Sequence, residues 1–73
     1  MTRTYIHFQD FVDAWVGPFG NKAEVDAHIA FCKERGDAAD VVAVEELTDK
    51  QVVDMLADGE MILTADEDRR QVF

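Results

Sequence analysis

The stretch Gly17–Gly36, GPFGNKAEVDAHIAFCKERG, constrains the chain more than any other, because it carries a start signal, an apolar stripe and a stop signal for one helix. Asn21 can accept from a free backbone N–H, and Glu24 three residues on completes a capping-box spacing. On a helical wheel Val25, Ile29 and Cys32 share a stripe, His28 and Phe31 widen it, and Asp26, Lys33 and Glu34 lie opposite. Lys33 and Arg35 suit the negative end of the helix dipole, and Gly36 suits a left-handed closure. Such a helix must lay its stripe on a sheet or on another helix.

The remaining elements are placed around it. Between Thr4 and Val16 two periods compete. Phe8, Phe11, Val12, Trp15 and Val16 recur at helical spacing, while Ile6, Phe8, Val12, Ala14 and Val16 fit an alternating strand with one break. The β-branched and aromatic content and the following Gly17-Pro18 favour extended structure, with Gln9-Asp10 as a bulge or bend. A short helix from Asp10 to Val16 stays open as the other reading. After a connection over Asp37–Asp40, the β-branched run Val41–Val44 predicts a central strand covered on both faces, closing a right-handed βαβ unit with parallel strands. Thr48 and Gln51 signal a second helix, with Leu47 and Val52 as a hydrophobic staple and Asp58-Gly59 as its end. Glu60–Thr64 and Arg69–Phe73 then read as a hairpin joined through a polar turn at Ala65–Asp68. The expectation is one small α/β (α+β) domain over residues 1–73, a mixed sheet of about four strands with two helices, in the order β-α-β-α-β-β.

A chain of 73 residues has a thin core, since a domain near that size buries only about 60% of the surface its unfolded chain exposes. Five Phe, one Trp and one Tyr make homodimerisation one way to cover leftover apolar surface. With 16 acidic against 7 basic residues the net charge is −9. Phosphate backbones and anionic lipids repel such a chain, so direct nucleic-acid and membrane binding are not expected, and a basic protein surface is the favoured partner. The single Cys32 excludes an internal disulfide and suits a reducing compartment. No apolar run has signal-peptide or spanning length, and the expected location is cytoplasmic.

No pattern of residues spells out a chemistry. His28 and Cys32 lie four apart on one helical face, the spacing of two metal ligands, with His7 as a candidate third, or of a thiol and its base. The further ligands and the oxyanion hole such sites need are missing, so no catalytic, metal or cofactor residue is assigned. Glu45-Glu46 and Asp66-Glu67-Asp68 are carboxylate groupings of a kind that solvated loops carry, and the second lacks the twelve-residue calcium-loop pattern. GPFG is neither a Walker sequence nor GxGxxG, and Pro18 removes a donor a phosphate loop needs.

The order WVGPFGNKAEVDAHIAFCKERG followed by VVAV, over about residues 12–45, is similar to one half of a SPOR domain, the peptidoglycan-binding module. In that module a strand ends in a GPF-like turn, a helix begins with an Ala-Glu pair and a glycine precedes the next strand. The second half departs, with no second VGPF-like strand end, and the resemblance carries over no binding residue. In bulk properties the chain is also like small acidic accessory or inhibitor proteins of phage type. The expected function is a non-enzymatic protein-binding module docking on a basic surface. Trp15, Phe19 and Phe31 are its candidate anchors, and Asp54, Asp58, Asp66, Glu67 and Asp68 its acidic rim. A homo-oligomeric structural protein and a metal or thiol protein built on His28 and Cys32 stand as alternatives.

Overall fold

The computed structural model describes residues 1–9 and 13–70. They form a small α+β fold: β1 (Thr2–Gln9), β2 (Asp13–Phe19), α1 (Lys22–Arg35), a 3₁₀ turn (Ala38–Asp40), β3 (Val41–Thr48), α2 (Asp49–Ala57), β4 (Met61–Leu63) and α3 (Ala65–Arg69). The four strands make one mixed sheet in the order β3-β1-β2-β4.

The long apolar stretch before Gly17 is therefore two strands, antiparallel to each other, with Ile6 opposite Val16 and His7 opposite Trp15. The region of the helix alternative is extended from Asp13 onward. Residues 10–12, with Asp10 of the expected bend, lie outside the described residues. β1 also pairs antiparallel with β3, so β2 and β3 are parallel to each other with β1 between them, and the expected βαβ unit is present with a strand inserted. That insertion corrects the reading of Val41–Val44 as a central strand. β3 is an edge, and Val42 and Val44 are 54% and 48% exposed. The centre belongs to β1, whose Ile6 is fully buried.

The two expected helices start and stop where the signals place them, but the capping box expected at Asn21 is only half formed. The Asn21 side chain accepts from the Glu24 N–H at 2.9 Å, and the Glu24 carboxylate accepts in turn from the Gly20 N–H at 2.6 Å, one residue before the cap. Gly36 closes α1 at φ 93°, its N–H donating to the Cys32 carbonyl. Val25, His28 and Cys32 are buried, with Ile29 and Phe31 at the margins. They pack on Ile6, Phe8, Val16 and Phe19 from the sheet face below. Thr48 and Gln51 form the full capping box of α2, with Gln51 accepting from the Thr48 N–H at 2.7 Å.

The connection from β2 through α1 to β3 runs one way across the sheet, and that from β3 through α2 to β4 runs back over its whole width. Two right-handed crossovers of opposite direction put α1 and α2 on opposite faces. Tyr5 and Leu47 are buried outside the α1 cluster, on the second face. Gly17 belongs there too: a Cβ on it would stand 2.7 Å from Tyr5 Cδ2 and 2.9 Å from the Thr4 carbonyl oxygen. Gly17→Ala is thus expected to destabilise by about 1–3 kcal/mol through overpacking, read as a lower urea midpoint. Gly36 and Gly59 have open space at the same position but stand at φ 93° and 87°, so alanine there is opposed by the left-handed backbone and not by crowding.

The expected terminal hairpin is not formed. Met61–Leu63 is a strand, but it pairs parallel with β2, from Ala14–Met61 to Val16–Leu63. The segment read as a turn, Ala65–Asp68, is the body of α3, and Arg69 is its last residue. Thr64 caps it, accepting from the Glu67 N–H at 3.1 Å while Glu67 accepts from the Thr64 N–H at 2.9 Å. Residues 71–73, the rest of the expected last strand, lie outside the described residues.

Candidate functional site

Among the described residues two groups of side chains carry chemistry, one under α1 and one on the opposite sheet face. The first is buried. His28 donates from Nε2 to Asp68 Oδ2 at 2.7 Å, and both are almost wholly shielded from solvent. Arg35 Nη2 lies 3.2 and 3.0 Å from the two Asp68 carboxylate oxygens, its Nη1 donates to the Asp68 carbonyl at 2.8 Å, and Asp37 takes Nη2 at 2.6 Å. Burial works against the Arg35 charge. The hydrogen bonds and charges of Asp37 and Asp68 outweigh it, so the guanidinium pKa is raised. Phe31 lies beneath Arg35, 5.0 Å from its ring centre, with Arg69 at 6.0 Å.

His28, Cys32 and Asp68 place one ligand atom each within 4.8 Å of one another, as a metal site would. Arg35 already supplies a cation there, with Nη2 on the Asp68 oxygens and 3.9 Å from Cys32 Sγ. The geometry is that of an ion-pair staple tying α3 to α1. Nucleophilic use of the thiol is disfavoured as well. Burial first, then the Asp37 charge, pushes the Cys32 pKa up to about 11, with Arg35 opposing and Asp68 adding to the rise. His28 Nδ1 has no hydrogen-bond partner among the described residues.

Two pH effects follow. Because the folded state favours the neutral thiol, the stability linked to Cys32 is fully present below the unfolded pKa, about 8.5, and is lost as pH rises. That loss is complete at the folded value of about 11. A disulfide reagent at neutral pH is expected to label Cys32 only at the rate of global unfolding. Fast labelling of the native protein would contradict its burial. Glu67 runs the other way: the Thr64 N–H and hydroxyl lower its pKa, so the cap of α3 is present above the unfolded value and is lost on acidification.

The second group lies on the open part of the sheet. One row crosses four strands, Ile62 on β4, Trp15 on β2, His7 on β1 and Ala43 on β3, each paired with the next. His7 and Trp15 stack with ring centres 3.9 Å apart and planes 5° off parallel. Asp13 Oδ1 lies 3.1 Å from His7 Nε2 and Glu45 Oε2 3.4 Å from Nδ1, so both ring nitrogens face carboxylates. The Trp15 indole N–H points to Glu60 at 3.4 Å, a long bond. Asp13, Asp58, Gly59, Glu60 and Met61 line a concavity beside it. No family model, no curated protein and no solved structure matches the chain. The SPOR-like order of residues 12–45 thus stays a likeness of strand and helix punctuation.

The expected anchors and rim part company. Trp15 is half-buried on the open face, and the exposed Asp58 joins it through the concavity lined with Glu60. Phe19 is a core residue, because its strand position faces α1, and is not available as an anchor. Phe31 is half-buried, with His28 and the two arginines around it. Asp54 is exposed on α2 and paired with Lys50, while Asp66 and Glu67 are exposed on α3. Asp68 leaves the rim altogether, since it is buried against Arg35 and His28. The sequence reading weighs His7 only as a third metal ligand and Glu45 only as one of a carboxylate pair, and gives Asp13 and Glu60 no role in a site. The alternation of β1 and β2 could have aligned His7 and Asp13 but is blurred by the competing helical period, and Glu45 on β3 and Glu60 before β4 join them only through strand order. No described helix is long and apolar enough to cross a membrane.

Proposed function

We propose that the chain is a non-enzymatic docking module for a basic protein segment, with the stacked Trp15–His7 pair as its contact floor. The observation that carries this reading is the setting of Trp15: a half-buried indole on an open sheet face, with Asp13, Glu45 and Glu60 around the stack. Aromatic side chains anchor protein contacts, and carboxylates beside an indole favour a Lys or Arg head there. The chain's net charge of −9 steers a cationic partner towards it. In this reading the buried Asp68–Arg35–His28 staple has no direct contact with the partner. It holds α3 and α1 together under the sheet.

Trp15 is the only tryptophan, so its emission reports this face alone. Titration with poly-lysine at low salt is expected to change that emission, and molar salt, where the Debye length is about 3 Å, to reverse it. The double variant Asp58→Asn, Glu60→Gln is expected to weaken the response, and Asp54→Asn, on α2, to leave it unchanged. An unchanged emission at low salt, or equal loss in both variants, contradicts the proposal.

A further inference from the structure

β3 offers eight residues of edge, and β1 is its only partner strand among the described residues. The opposite edge, β4, has three residues. Long edges are usually blunted or covered, because their unpaired N–H and C=O groups template further pairing. This one is flanked by two different surfaces. On the α1 side, Val44 and Glu46 with Val25, Ile29 and Asp26 line a groove of about 450 Å³ that runs along the strand. On the other side Ala43 is opposite His7, and Glu45 reaches the His7 ring that stacks on Trp15.

We infer that the free edge of β3 is a strand-addition site for an extended segment of a protein partner that alternates apolar and cationic residues. This rests on the basic-partner reading above and adds its mode. An added strand projects successive side chains to opposite faces. One set covers the exposed Val44 and enters the groove beside Val25 and Ile29. The other set meets Glu45 and continues the row from Trp15 through His7. Charge selects the occupant. A second copy of this chain would bring two bodies of net charge −9 edge to edge, each with Glu45 and Glu46 in the pairing strand, whereas Lys or Arg in the set facing the His7 side is complemented by Glu45.

The test uses a blocked ten-residue peptide of alternating Val and Lys, its alternately N-methylated counterpart, and poly-lysine as reference, all followed by Trp15 emission. The plain peptide is expected to bind, and N-methylation, which removes backbone donors along one edge, to abolish binding. Val44→Asp is expected to weaken it about tenfold or more, as loss of a contact in the pairing strand does. Because Val44 is half-exposed, that variant should stay folded, which circular dichroism checks. Equal binding of both peptides overturns the strand mode and leaves the basic-partner reading standing. No response to peptide or poly-lysine removes both. A concentration-dependent dimer in sedimentation that Val44→Asp dissolves assigns the edge to a second copy and overturns the inference.

Discussion

Asp68→Ala is expected to lower stability by about 3–5 kcal/mol, because it removes one partner of a buried ion pair and leaves the other charge behind. Arg35 would keep Asp37 but lose both Asp68 carboxylate contacts, and the carbonyl bond that holds α3 would survive only if the helix stayed docked. His28, fully buried, would have no partner at either ring nitrogen among the described residues. Against a total of about 5–15 kcal/mol for a typical domain, this change alone removes a large share of the stability. Asp68→Asn keeps the shape and one hydrogen bond but not the charge, and should fall between the variant and the native protein. Urea denaturation followed by circular dichroism decides it. A loss below about 1 kcal/mol would mean that Asp68 behaves like an exposed surface acid.

Ile6→Ala is the second large effect, about 2–5 kcal/mol, because a side chain at the centre of the sheet is replaced by a cavity. Ile6 is fully buried, opposite Val16 on one neighbour and Val44 on the other, within the cluster under α1. Its cross-strand neighbour supplies the control. Val44 is 48% exposed, so Val44→Ala should stay within about 0.5 kcal/mol of native, as surface substitutions do. Comparable losses at both positions would place β3 in the interior and remove the free edge. The comparison is made by thermal and urea unfolding of the two variants side by side.

The contrast between Ile6 and Val44 shows how far residue patterns reach in this chain. Helix ends were legible because their signals are local: Asn21 with Glu24, Thr48 with Gln51 and Gly36 each act within one turn. The α1 stripe was legible for the same reason. Strand order was not, because Val41–Val44 looks the same at an edge as at a centre, and only the pairing of β1 with both β2 and β3 decides which it is. The third helix carries a local signal as well. Thr64 and Glu67 repeat the capping-box spacing, but three consecutive acids with few apolar neighbours read as a turn. Asp68 could not be read as buried at all, since its burial depends on Arg35, 33 residues away. The open-face site was half legible: Trp15 and Asp58 were singled out, while His7, Asp13, Glu45 and Glu60 join them only through strand register.

On the proposed reading, basic protein segments dock at the Trp15–His7 face and not wherever the acidic chain is accessible. Amide and indole chemical-shift mapping of the labelled protein with poly-lysine tests it most directly, because every surface acid reports at once. The expected changes are concentrated at the Trp15 indole, His7, Ala43, Glu45 and Glu60, with Asp54, Asp66 and Glu67 little moved. Shifts spread evenly over the exposed acids of α2 and α3, with the Trp15 indole unmoved, would contradict it.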